Sequence, residues 1–146
     1  MVESKQFCSF RVGDLFFGVD VRVVQEMIRY QEMTRVQLAP REMAGLINLR
    51  GQIVAAIDLR RQLGLKDRTD GTLPMNVVVR TADGVVSFLV DEIGDVLEVE
   101  PEQFERSPET LSGTTRDLIE GVYKLKERLL LILNTEKAAG LTGMAA

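Results

Sequence analysis

GLINLRGQIVAAIDLR, residues 45–60, holds two short apolar runs, Leu46, Ile47 and Leu49 and then residues 53–57, with only Arg50, Gly51 and Gln52 between them. Two β-prone runs so closely spaced predict a hairpin. Gly51 can take positive φ without a Cβ clash, so the chain reverses there and leaves Arg50 at the tip. Asp58 ends the second run and is placed to cap a short helix carrying Leu59 and Leu63. The runs are nearly continuous, which predicts that both faces of the hairpin are covered.

The elements upstream of that hairpin follow from alternation and turn chemistry. Residues 6–12 alternate as a strand, and Gly13-Asp14 turns the chain into a second strand at 15–19. Asp20 with Val21, Val24 and Ile28 at helical spacing predicts a short amphipathic helix. A strand over 34–38 and one helical turn over 41–44 precede the hairpin. Downstream, residues 66–74 (KDRTDGTLP) hold one leucine among turn formers and charges and predict a mobile loop. Runs 75–80 and 85–90 flank Asp83-Gly84 as another hairpin. A strand over 96–99, a surface segment over 100–117, and a last hairpin of 121–125 with 129–133 follow. Thr135 would cap a terminal helix ended by Gly140, beyond which the tail would fray.

Self-similarity turns this series into an architecture. Phe17, Val19 and Asp20 have the spacing of Phe88, Val90 and Asp91. Gly45-Leu46-x-x-Leu49-Arg50 matches Gly121-Val122-x-x-Leu125-Lys126, and Ile57-Asp58 matches Leu133-Asn134, at offsets of 71, 76 and 76 residues. Three matches in one order predict two copies of a small β unit. The expectation is a mainly β chain of 146 residues forming one domain of two small barrels packed together, with short helices. The approximate lobes are 6–65 and 75–140, and closing strands would cross between them.

Composition narrows the function classes. The hydrophobic fraction of 45% and charged fraction of 27% are those of a globular protein. No apolar run approaches the roughly 18 residues of a membrane helix, and the N-terminus lacks a signal-peptide pattern, so a cytoplasmic protein without direct membrane insertion is expected. There is no histidine and only one cysteine, Cys8. Ser-His-Asp and Cys-His catalysis and histidine-ligated metals are excluded, as is an internal disulfide. Cys8 lies among Phe7, Ser9 and Phe10 and reads as packed. No phosphate cradle or nucleophile elbow is present. Asp91, Glu92 and Asp95 read as a solvated acidic surface rather than a cation site. No metal and no cofactor is expected. With a net charge of −4 and no basic, aromatic-interleaved stripe, nucleic acid is not an expected partner. Residues 22–68 carry nine Arg or Lys against five Asp or Glu, while 91–105 carry seven acids and no base. Such blocks are either solvated faces or complementary docking surfaces.

From Phe7 to about Lys137 the chain resembles the CheW-type coupling proteins of bacterial chemotaxis. The 45–60 hairpin carries the most specific match, supported in order by FFGVDVRVVQEM, SFLVDEIGDVL and IEGVYKLKERLLLILN. One departure is Ala55, where the family commonly has proline. The resemblance implies a non-enzymatic scaffold of two five-stranded β-barrels. It also implies two partners: the cytoplasmic signalling tip of a chemoreceptor, or methyl-accepting chemotaxis protein, and the regulatory domain of a histidine autokinase. The scaffold would be cytoplasmic and recruited to receptor arrays. Ring assembly with the kinase or with itself would suit the charge asymmetry, and charge reversal at Arg60 and Arg61 would weaken it. Residue by residue, the resemblance places Val24, Glu26, Gly45, Arg50, Gly51 and Val96 in receptor or kinase binding. Beside that reading stand core packing for Val24 and Val96, turn geometry for the glycines and loop bracing for Arg50. Two alternatives stay open: a same-fold adaptor for pili, surface sensing or second-messenger output, and a small-barrel nucleic-acid binder or metal-dependent enzyme.

Overall fold

The computed structural model describes residues 5–106, 111 and 113–140. The first half of the chain runs β1 (Lys5–Val12), β2 (Leu15–Asp20), β3 (Val24–Ile28), β4 (Met43–Leu49), β5 (Gln52–Asp58) and helix α1 (Leu59–Gln62). The second half runs β6 (Met75–Thr81), β7 (Gly84–Val90), β8 (Glu92–Val99), a 3-10 turn (Pro101–Gln103), β9 (Phe104–Glu105), α2 (Gly113–Leu118), β10 (Ile119–Lys124), β11 (Leu129–Leu133) and α3 (Thr135–Ala139). The mainly β class with short helices is as expected. The hydrogen-bond ladders form a six-stranded sheet, β8-β1-β2-β11-β10-β9, and a five-stranded sheet, β3-β6-β7-β5-β4.

Each sheet is assembled from both halves of the chain. The β1–β2 hairpin of the first half joins its sheet through a parallel pairing of β2 with β11, and the β6–β7 hairpin of the second half joins the other through β5. Alternation then divides the side chains between three apolar clusters. Val77, Val79, Phe88 and Val90 enter a shared central core with Phe10, Phe17, Val122 and Leu131. The intervening Val78 and Leu89 pack with Ile47, Val54 and Ala56 in a cluster private to the five-stranded sheet. Phe7, Tyr123, Leu130 and Ile132 do the same for the other sheet. Period-two alternation on strands covered on both faces thus welds the two sheets together.

The duplicated sequence is a duplicated structure. Asp58 and Asn134 both cap the helix after the second strand of a hairpin, each side chain accepting from a backbone amide, that of Arg60 or Lys137. Register shifts fall at Met43/Gly45 and at Ile119/Gly121. The Thr34–Leu46 bridge has its counterpart in the Glu105–Val122 pairing.

Several expected elements differ. Residues 24–28 are strand, not helix. A bulge between Val24 and Glu26 sets Val24 opposite Val79 and Glu26 opposite Val78, so the alternation skips a residue. Val24 and Met27 then face the central core while Ile28 faces the private cluster, so Val24 and Ile28, which helical spacing would put on one face, are divided between two clusters. The 34–38 strand is reduced to the single Thr34 bridge, with Val36 and Leu38 exposed. Residues 41–42 are a turn, and β4 starts at Met43. β8 begins at Glu92 rather than 96, and α2 adds a helix within the expected surface segment, part of which lies outside the described residues. Asn134, not Thr135, caps α3. The tail beyond Gly140 also lies outside the described residues. Ala55 sits inside β5 between Leu46 and Val86, so the family's proline position belongs to the sheet interior and not to an edge. No described helix is long and apolar enough to cross a membrane.

Candidate protein-docking site

Arg50 and Glu26 are brought together by the curl of the five-stranded sheet. β3 and β4 are its two end strands, yet the Arg50 guanidinium at the tip of the β4–β5 hairpin donates through Nη2 to Glu26 Oε2 on β3. The Arg50 side chain is 71% exposed and that of Glu26 only 20%, so the carboxylate is seated and the cation displayed. Its hydrogen bond with Glu26 pushes the Arg50 guanidinium further up from its already high ordinary pKa, and it stays charged. The tip is a two-residue reversal in which Arg50 (φ 51°) and Gly51 (φ 92°) both occupy the left-handed region. Glycine accepts that backbone freely, whereas arginine adopts it against a Cβ–carbonyl clash.

The other expected site residues separate by role. Val24 is half-buried against the central core. Gly45 is a packing glycine: a Cβ there would lie 2.8 Å from the Thr34 carbonyl oxygen and 3.0 Å from Met33 Cβ. That close approach admits the Thr34–Leu46 bridge, whose two hydrogen bonds are 2.8 Å each. Gly51 has open space around it, consistent with a turn requirement alone or with room for a partner. Val96 is 55% exposed on β8, an end strand of the other sheet, which removes the core-packing alternative. The structure therefore gathers Glu26, Arg50 and Gly51 at one corner, with Val24 two residues from Glu26, and leaves Val96 on a different sheet.

A second constellation lies where the chain passes from β7 to β8. Asp91, read from sequence as solvated, has a side chain only 9% exposed. It accepts from Arg60 Nε at 2.9 Å and Nη2 at 2.7 Å, and from the Gly13 amide at 2.6 Å. Arg68 Nε lies 2.9 Å from Asp91 Oδ1, out of line for a hydrogen bond. Burial by itself would raise the Asp91 carboxyl. The hydrogen bonds from Arg60 and Gly13, with the charges of Arg68 and Arg60, outweigh burial and hold it below the usual carboxylate range. Arg61 pairs with Asp67. The basic residues expected to face partners are thus partly spent inside the molecule, and reversal at Arg60 or Arg61 would break these pairs rather than report on assembly. The 66–74 segment has no regular structure, but Arg68 and Asp67 tie it down.

Sequence reasoning missed the inward pairing of Asp91 with Arg60 and Arg68, although the Asp20/Asp91 repeat marked the position. It also missed Asn48, whose Oδ1 accepts from the Gly51 amide at 2.8 Å. Burial raises the Cys8 thiol, with the charge of Asp20 adding to it, as fits a packed cysteine. Among the described residues no group of His, Cys, Asp and Glu is arranged to hold a metal ion.

Residues 6–141 match the family described as "CheW-like domain". The chain is 31% identical to the chemotaxis protein CheW of Klebsiella aerogenes, an alignment covering 97% of this chain and 86% of that one. It is 30% identical to a probable chemotaxis protein CheW of Rhizobium etli, over 91% and 86%. The crystal structure of the scaffolding protein TtCheW from Thermoanaerobacter tengcongensis superposes with a TM-score of 0.80 at 23% identity, covering 90% of each chain, and so shares the fold. The mainly β duplicated architecture and the match spanning nearly all of its length make this chain a member of the CheW-like domain family.

Proposed function

We propose that this protein is a non-enzymatic coupling scaffold of chemotaxis signalling, binding the cytoplasmic tip of a chemoreceptor and the regulatory domain of a histidine autokinase. The observation that carries this reading is the family match over residues 6–141, joined to full-length relatives named for chemotaxis. The displayed Arg50, seated on Glu26, supplies a docking chemistry consistent with it. A guanidinium with a free edge pairs bidentately with a carboxylate, the group a receptor tip would present to it in this reading. Val24, Glu26, Arg50 and Gly51 form the receptor-facing corner in this reading, and Val96 marks a separate contact on the other sheet. Gly45 contributes by letting β4 pack against the Thr34 backbone. The scaffold acts in the cytoplasm by holding receptor and kinase in one geometry, so that its output is a coupling free energy rather than a chemical step.

Titration of the isotopically labelled protein with a receptor signalling-tip fragment tests the assignment. Amide shifts concentrated at residues 24–28 and 48–52 are expected. Shifts confined to other surfaces would move the receptor site, and no shifts at saturating fragment from several receptors would remove it.

A further inference from the structure

We infer that Asn48 is a positioning residue for Arg50: its side chain holds the hairpin tip in the left-handed turn that seats the guanidinium on Glu26. Asn48 is exposed, and the hydrogen bond its Oδ1 accepts, from the Gly51 amide at 2.8 Å, spans the turn from inside the strand to the residue after Arg50. That turn needs support. Arg50 at φ 51° stands at the first central position of a two-residue reversal where asparagine, aspartate or glycine is favoured. A turn with negative φ would splay the strands instead of following their twist. Released to negative φ, residue 50 would aim its side chain away from β3, and the pair with Glu26 would be lost. The Gly51 amide has no cross-strand role at the tip, so the Asn48 carboxamide is what satisfies it. Two side chains therefore brace the reversal from opposite ends, Asn48 through Gly51 and Glu26 through Arg50.

This inference deepens the proposed receptor reading and rests on it for its binding consequence, while the positioning itself is measurable on the free protein. Four variants decide it, with Glu26→Ala as the reference: Asn48→Ala, Asn48→Asp, which keeps an acceptor oxygen, Arg50→Ala, and Arg50→Ala combined with Asn48→Ala. In the free protein Asn48→Ala should speed exchange of the Gly51 amide by about fivefold to tenfold and move the Arg50 Nε–Hε resonance toward its position in Glu26→Ala. Asn48→Asp should restore both. Against a receptor-tip fragment, Asn48→Ala should weaken binding when Arg50 is present and have no further effect in the Arg50→Ala background. Unchanged Gly51 exchange and an unchanged Arg50 resonance in Asn48→Ala would overturn the positioning role, whatever the partner. An equal affinity loss in both backgrounds would overturn action through Arg50. Binding untouched by Arg50→Ala would instead sink the receptor assignment and leave the positioning to be decided by the two free-protein signals.

Discussion

Asp91 is one carboxylate with three separate holds on the chain, and its substitution tests how much one side chain ties the halves together. It joins the β1–β2 turn through Gly13, α1 through Arg60 and the 66–74 segment through Arg68. Asp91→Asn removes the counterion of Arg60 and leaves Arg68 with only Asp58, 3.9 Å away, and is expected to cost about 3 kcal/mol, read as a lower midpoint in urea with the slope unchanged. Because the folded-state pKa lies below the unfolded one, the contribution is fully present above about pH 4. It is lost as pH falls through the folded value. The wild-type protein should therefore lose stability on acidification below that point more steeply than Asp91→Asn, and parallel acid profiles would contradict the assignment. Arg50 behaves oppositely at this scale: it is displayed, not buried, and Arg50→Glu should leave the urea midpoint close to wild type while weakening receptor-tip binding about tenfold or more.

Among the elements, the paired glycines separate packing from docking. Gly45 and Gly121 sit at matching places in the two copies, but a Cβ at Gly45 would press on the Thr34 backbone, whereas at Gly121 it would meet the exposed ring of Phe104 at 2.6 Å. Backbone cannot rotate away and a surface ring can. Gly45→Ala is expected to cost about 2 kcal/mol and Gly121→Ala clearly less, measured as thermal or urea stability; the reverse order would contradict the packing role. The hairpins were legible because alternation and Asp-Gly or Arg-Gly turns are local signals. The β3 strand was not, because Val21, Val24 and Ile28 stand at helical spacing, whereas the bulged strand sends Val24 to the central core and Ile28 to the private cluster. Likewise the 34–38 segment has strand-like alternation but reaches its neighbour only at Thr34, and the chain turns at residues 37–38, where Leu38 has φ 65°.

Across the whole molecule, the duplication was legible from offsets in sequence, while the exchange of hairpins between the two sheets is a long-range pairing that no local pattern encodes. The Glu26–Arg50 corner lay halfway: the residues were singled out by family resemblance, but their ion pair depends on the curl that brings the two end strands of one sheet together. The inward turn of Arg60, Arg61 and Arg68 was hidden for the same reason, since each partner arrives from elsewhere in the fold or from the 66–74 segment. The hairpin tip of one sheet displays Arg50, and the other sheet ends in an acid-rich β8 with an exposed Val96.

The measurement that bears most directly on the scaffold function is co-sedimentation of the purified protein with a receptor signalling-tip fragment and a matching histidine autokinase, repeated with Arg50→Glu. Wild-type protein should bring receptor and kinase down together, and the variant, folded by urea midpoint, should fail to bridge them while still binding kinase. Failure of the wild type to join any receptor and kinase pair, or bridging unaffected by Arg50→Glu, would contradict respectively the coupling function and the placement of the receptor contact at the hairpin tip.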